Sequence, residues 1–228
     1  MSVYFRPLIQ SGTTRSDDAV PLAGGPLWFT HTERLSRGEA ARIVPAAELP
    51  DDLRTRLCAP RAPVAGMSMD APRIMGIVNV TPDSFSDGGK HFDAEVATGA
   101  ALAMVQAGAD ILDIGGESTR PGARLIPDEE ETARTEPVIA AIRAASPVPI
   151  AVDTRESAVA RAALKAGATL VNDVSGFTYD PTLGDLCAES GVPVCVMHAQ
   201  GDPATMQQDP QYDDVLLVVY EFLEQQVA

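Results

Sequence analysis

QAGADILDIGG, residues 106–116, carries three signals in a short space. A helical pattern ends at Gly108, an apolar β-prone run follows as ILDI, and a glycine pair opens a loop. The same junction returns as KAGATLVND (165–173) and ESGVPVCVM (189–197). Helix end, glycine, strand, repeated along one chain, predicts βαβ units with right-handed crossovers.

The rhythm extends in both directions. IMGIVNV (74–80), ADILDIG (109–115), VPIAVDT (148–154), TLVNDVSG (169–176) and VPVCVMH (192–198) are short, nearly unbroken apolar runs. Such runs fit strands of a parallel sheet, buried on both faces. Helical patterns separate them. AEVATGAALAMVQAG (94–108) puts Val96, Ala100, Ala103 and Ala107 on one stripe. ESAVARAALKAG (156–167) does so with Val159, Ala163 and Ala166. DPTLGDLCAESG (180–191) offers Asp180 as N-cap and Pro181 at the first helical position. EEETARTEPVIAAIRA (129–144) contains Pro137, predicted to kink the helix or delay its start. YDDVLLVVYEFLEQQVA (212–228) reads as a fifth amphipathic helix. The pattern is compatible with an open doubly wound sheet or with part of a (β/α)₈ barrel. A barrel of that kind needs about 250 residues, so about five βα units are expected here and the C-terminal units are expected to be missing. Residues 1–70, rich in Pro, Gly and Arg, read as an N-terminal extension with a short hairpin, closed by the linker APRAPVAG (59–66). Residues 71–228 read as the barrel portion.

Composition narrows the function. The formal net charge of −15 repels nucleic acid and anionic lipid, so neither is expected as a partner. No apolar run of about 18 residues is present, and the N-terminus does not read as a signal peptide. Cys58, Cys187 and Cys195 lack metal-type spacing and read as reduced thiols of a cytoplasmic protein.

The unusual polar residues cluster at the C-terminal ends of the predicted strands, where parallel α/β folds bind ligands. They are Asn79, the GGESTRPGA loop (115–123), Asp153, Asn172 with Asp173, and Met197, His198 and Gln200. A carboxylate and an amide on adjacent strand ends can read a flat heterocycle edge bearing N–H donors and a carbonyl. Asp153 can equally be a helix N-cap, and Asn172 a turn former. Ser118, Thr119 and Arg120 between glycines suit a phosphate or diphosphate, or form a structural turn. Asn79 is a hard neutral oxygen ligand that suits Mg²⁺. His198 reads as a hydrogen-bonded rim residue.

Taken together, MGIVNVTPDSFSDGG (75–89), ILDIGGESTRPGA (111–123), VDT (152–154), VNDVSG (171–176) and VMHAQGDPATMQ (196–207) closely resemble the bacterial dihydropteroate synthases. The resemblance spans about residues 74–210. It implies a (β/α)₈ TIM barrel joining 6-hydroxymethyl-7,8-dihydropterin pyrophosphate to p-aminobenzoate in folate biosynthesis. It further implies that Asp153 and Asn172 hold the pterin, with Met197 lining the pocket. Thr119 and Arg120 would contact pyrophosphate, and Asn79 would meet Mg²⁺. Phe85 and Asp87, on a loop that folds over the site, would lie near the aryl amine, with Pro121 on the facing wall. The family is commonly dimeric, which implies a homodimer. Its later motifs, a DPGIGFGK-like stretch, an SRK-like lysine and an RVHD-like pair, do not occur in this sequence, so a fragment of a longer protein is expected. Two rivals share parts of the pattern: a pterin-binding methyltransferase, and a non-catalytic partial barrel that binds a pterin or a protein. The first has no use for the TPDSFSDGG loop or the STRPG cradle.

Overall fold

The computed structural model describes residues 2–81, 90–118, 125–201 and 209–228. It divides into two compact units.

The first unit comprises Met1–Pro63, Ser68–Pro72 and Asp214–Leu217. It contains β1 (Val3–Pro7), β2 (Val20–Pro21), β3 (Trp28–Phe29), β4 (His31–Ser36), β5 (Arg42–Pro45) and α1 (Asp51–Cys58). Strands β1, β4 and β5 form an antiparallel sheet in that order, and β2 pairs with β3. Phe29, Ala46 and Leu49 are buried together, with Phe5, Val20, Leu22, Leu53 and Leu57 around them. Tyr4 and Leu35 pack with Leu217. The extension therefore has cores of its own and more regular structure than one hairpin.

The second unit comprises Val64–Met67, Arg73–Asp213 and Val218–Ala228. Its strands are β6 (Met75–Asn79), β7 (Ile111–Gly115), β8 (Ile150–Asp153), β9 (Leu170–Asp173) and β10 (Val194–Val196). All neighbouring pairs are parallel, in the order β10-β9-β8-β7-β6. Between them run α2 (Lys90–Gln106), α3 (Asp128–Ala145), α4 (Ser157–Ala166) and α5 (Thr182–Ser190), and α6 (Val215–Val227) follows. The fold is α/β: five consecutive βα units of the TIM-barrel family, with β6 and β10 as the edges of an open sheet.

Strand alternation divides the apolar residues between two faces. Leu112, Ile114, Ile150, Val152 and Val171 face the helices and are buried against Ala97, Ala101, Val138, Ile139, Ile142, Ala160, Ala163 and Leu183. Ile111, Ala151 and Leu170 face the other way. There they meet Val64, Ala65 and Met67. Residues 64–67 form a tight turn, with Val64 and Met67 exchanging both backbone hydrogen bonds and Ala65 and Gly66 at φ +49° and +80°. The last residues of the segment expected to be a linker, with Met67, thus plug the N-terminal end of the inner face. On the edge strand β6, Met75 and Ile77 share that inner face and remain exposed.

The three helix–glycine–strand junctions are built alike. Gly108, Gly167 and Gly191 have φ of +107°, +118° and +65°, a backbone region that disfavours any residue with a Cβ. Three local expectations are corrected. The buried stripe of α2 is Ala94, Ala97, Ala101 and Met104, whereas Val96 is exposed. Its alanine-rich sequence has small apolar residues on every side, so periodicity alone does not fix the phase. Pro137 does not delay α3, which begins at Asp128 and runs through it. Asp180, expected as the N-cap, lies one position before the observed cap, since Pro181 takes the cap and α5 starts at Thr182. Its carboxylate accepts from Thr182 N–H at 2.9 Å and, across the chain, from Ser157 N–H at 2.8 Å. One side chain therefore serves the starts of both α4 and α5, and these donors hold its carboxyl down at about 2, against the opposing effect of burial.

Candidate active site

The register of the sheet sets the site. Asn79 pairs with Gly115, Gly115 with Asp153, Asp153 with Asn172, and Asn172 with Cys195. One row of residues thus crosses all five strands at their C-terminal ends. In-register neighbours in a parallel sheet point to the same face, and this is the inner face, two residues on from Ile77, Asp113, Ala151 and Leu170. Gly115 leaves a gap in the row. A Cβ there would lie 3.4 Å from Asp153 Oδ2 and 3.6 Å from Asn79 Oδ1, so the two flanking side chains border a shared bay.

Asp113 was missed by the sequence reading. It sits mid-strand in β7, 5% exposed, and accepts a 3.0 Å hydrogen bond from Asn172 Nδ2. The available signal was a single acidic residue inside an otherwise apolar run, which is costly without a purpose. Two carboxyls therefore face one small space. Burial raises Asp113, with the Asn172 amide pulling it back. Burial also pushes Asp153 up to about 7, helped by the negative charges of Asp113 and Asp173 and opposed by Arg155. Among the described residues, Asp153 Oδ1 and Asp113 Oδ1 are buried and accept no hydrogen bond. Buried acceptors of this kind await donors. Asp153 is not a helix cap, because α4 begins at Ser157.

The remaining predicted residues divide clearly. Asp173 points away from the bay, is fully buried, and accepts from Ser175 N–H, Ser175 Oγ and Phe177 N–H. It shapes the loop after β9 and does not belong to the polar row. Met197 follows β10, is partly exposed, and donates its N–H to Asp173 O at 3.2 Å. His198 packs edge-on against Phe222, with ring centroids 5.0 Å apart. Gln200 binds the backbone of Gln211 through both ends of its amide. Cys195 continues the row beside Asn172, and its thiol is raised by burial and then by Asp113 and Asp153. Phe85, Asp87, Thr119, Arg120 and Pro121 lie outside the described residues.

Behind the row stands a second polar group that the sequence did not disclose. Arg155, 2% exposed, is ion-paired with Glu117 and lies 3.9 Å from Glu156. Its guanidinium stacks 4.0 Å from the centre of the Tyr179 ring. Thr154 Oγ1 donates to Glu156 Oε2 at 2.9 Å. Glu131 reaches in from α3, and burial together with Glu156 lifts its carboxyl to about 8.

A protein family described as "Pterin binding enzyme" matches residues 75–228. The dihydropteroate synthase of Escherichia coli (strain K12) is 48% identical over 165 residues, covering 72% of this chain and 58% of that one. A Xanthomonas albilineans dihydropteroate synthase solved with 4-aminobenzoic acid superposes with a TM-score of 0.65 at 48% identity, over 72% of this chain and 58% of that chain. The same organism's enzyme in complex with 7,8-dihydropteroate superposes with a TM-score of 0.61 at 43% identity, over 71% and 55%. The chain thus spans a little under three fifths of the length of these relatives.

Proposed function

This chain belongs to the pterin-binding enzyme family, and on that premise we propose that the protein acts as a dihydropteroate synthase, a transferase of folate biosynthesis. The observation that carries the reading is the inner-face row of Asn79, Gly115, Asp153 and Asn172, with Asp113 bonded beneath it. Three strand spacings of about 4.8 Å give the row a reach of about 14 Å. That accommodates a flat bicyclic ring at the Asp153–Asn172 end and a diphosphate toward Asn79.

A pterin presents an amino group and a ring N–H beside a carbonyl. Asp153 and Asp113 accept from the nitrogens, and the Asn172 amide matches the carbonyl side. The unsatisfied oxygens of the two carboxylates are the acceptors such a ring needs. In the reaction, the amine nitrogen of p-aminobenzoate forms a bond to the pterin methylene carbon. The bond from that carbon to the pyrophosphate oxygen breaks, and the amine loses a proton. Positive charge develops on the pterin as the leaving group departs, and two buried carboxylates at the ring stabilise it more than they would in water. Arg120 and Thr119 hold the departing anion.

Asn79 fits Mg²⁺. Its oxygen is neutral and hard, and it borders the bay at the end away from the ring carboxylates. Bound there, the ion would neutralise charge on the leaving pyrophosphate. By resemblance, Phe85 and Asp87 would lie near the aryl amine and would help keep water from the methylene carbon until the amine arrives. The substrates are the small molecules just named, the location is cytoplasmic, consistent with free thiols, and the assembly is a homodimer. Among the described residues no helix is long and apolar enough to cross a membrane.

The test is direct binding of 6-hydroxymethyl-7,8-dihydropterin pyrophosphate by calorimetry, with pyrophosphate release measured in the presence of p-aminobenzoate and Mg²⁺. Asp113→Asn and Asn172→Ala are expected to weaken pterin binding by at least about tenfold, the value of one or two lost charge-assisted hydrogen bonds. Phe85→Ala with Asp87→Ala should reduce turnover more than pterin affinity. Unchanged pterin affinity in both Asp113→Asn and Asn172→Ala would overturn the assignment.

A further inference from the structure

Arg155 joins three successive strand ends. It lies just beyond β8 and is ion-paired with Glu117, which lies just beyond β7. Its guanidinium also stacks on Tyr179, in the turn that follows β9. Both members of the pair are shut away from water, Arg155 at 2% and Glu117 at 9% exposure. Glu156, 3.9 Å from the guanidinium, is its other acidic neighbour. Glu131 makes no claim on the charge, because burial and Glu156 keep its carboxyl protonated at neutral pH, at about 8.

Glu117 has a second commitment. Its Oε1 accepts from the Ile126 N–H at 3.3 Å while its Oε2 takes the guanidinium. One side chain thus holds position 117 and position 126, nine residues on, against the end of β8. The backbone beside it is fixed too. Gly116 O accepts from Arg134 Nη1 at 2.8 Å, and Arg134 is held in turn by Glu130 at 2.5 Å. A buried ion pair adds little net stability, because loss of hydration offsets the attraction. It does fix position, since separating the partners leaves a charge stranded out of water.

The stretch between these two anchored positions carries Thr119 and Arg120. We propose that Glu117 and Arg155 are positioning residues for the leaving diphosphate: they anchor both ends of the segment bearing Thr119 and Arg120. The inference rests on the synthase reading, which assigns the diphosphate to those two side chains. Groups that must meet a departing anion need support from locked neighbours, and this pair supplies it from outside the segment. The ring contacts Asp113, Asp153 and Asn172 sit on strands and do not depend on it. Arg155 does lower the Asp153 carboxyl by its charge, so Glu117 is the cleaner place to test.

The experiment titrates the whole chain by calorimetry, in Mg²⁺, with 6-hydroxymethyl-7,8-dihydropterin pyrophosphate and with the same pterin lacking the diphosphate. The ratio of the two affinities reads what the diphosphate contributes. Partial unfolding lowers both affinities alike and leaves the ratio unmoved. Glu117→Gln keeps the shape but turns one accepting oxygen into a donor. It should lower the ratio by at least about tenfold, since a misplacement of about 1 Å can cost about a hundredfold. Affinity for the pterin without diphosphate should hold. Arg155→Met should lower the ratio similarly, and the double variant by no more than either single change, because the two act as one unit. If Arg155→Met does not fold, the double variant, which strands neither charge, stands in for it. A ratio unchanged in Glu117→Gln, or losses that add in the double variant, would overturn the proposal. A wild-type chain that binds neither pterin defeats the synthase reading and this inference with it. A wild-type chain that prefers the diphosphate, with variants that keep the preference, defeats the positioning role alone.

Discussion

Replacing Asp153 by Asn should make the protein more stable and less able to bind its ligand. The carboxyl is pushed up to about 7 by burial, by Asp113 and by Asp173, against an ordinary value near 3.9. The direction of the linkage follows from proton counts. Below about pH 4 both the folded and the unfolded chain carry the proton, and the substitution is neutral. Between about 4 and 7 the folded chain keeps a proton that the unfolded chain releases, so wild-type stability falls as pH rises. Above about 7 the loss is complete. Three units at about 1.36 kcal/mol each set an upper bound of about 4 kcal/mol. Asp153 retains some exposure, and water screening lowers the expected gain to about 2 kcal/mol. Asn cannot ionise and carries none of this penalty. Urea unfolding of both proteins at pH 4.5, 6 and 8 measures the difference. The expected result is a gap that is small at the lowest pH and widens to about 2 kcal/mol at the highest, with pterin binding lost throughout. A gap of the same size at all three pH values, or a destabilised variant at pH 8, would refute the reasoning. Activity and stability pull in opposite directions at such a position.

Two glycines give contrasting outcomes. Gly115→Ala places a methyl at ordinary contact distance, 3.4 Å from Asp153 Oδ2 and 3.6 Å from Asn79 Oδ1. Stability should stay within about 0.5 kcal/mol, while the filled bay should reduce pterin affinity by at least about tenfold, read by calorimetry. Gly116→Ala puts its methyl 2.8 Å from Glu131 Cγ and Thr135 Cγ2 and 3.1 Å from Glu131 O. Overpacking of α3 against the loop should cost about 1–3 kcal/mol, seen as a lower urea midpoint with an unchanged slope.

Much of this architecture was legible because the signals were local. The strand runs, the glycine junctions and the acids at strand ends are each contained within a few residues, and each maps onto the observed sheet. Less legible were features set by partners distant in sequence. Asp113 reads as an intrusion into ILDIG until Asn172, 59 residues later, is seen donating to it. Glu117, Glu131 and Arg155 resemble ordinary surface charges in sequence, and only packing buries them together. The stripe on α2 failed for a different reason, since alanines on all sides give no contrast by which to orient a helix. In residues 1–63, β2 and β3 are two residues each, too short for alternation to register.

The alternation of the strands separates two kinds of evolutionary freedom. Odd-numbered positions of β6, β7 and β8 hold the ligand side, and the residues between them hold the helices. Lengthening a loop after any strand leaves that assignment untouched, so new substrate preferences can be tried there cheaply. Inserting or deleting a single residue within a strand would exchange the two sides at once, presenting leucines and isoleucines to the ligand and carboxylates to the helices. Variation in such a lineage should therefore accumulate in the loops, while strand lengths stay fixed.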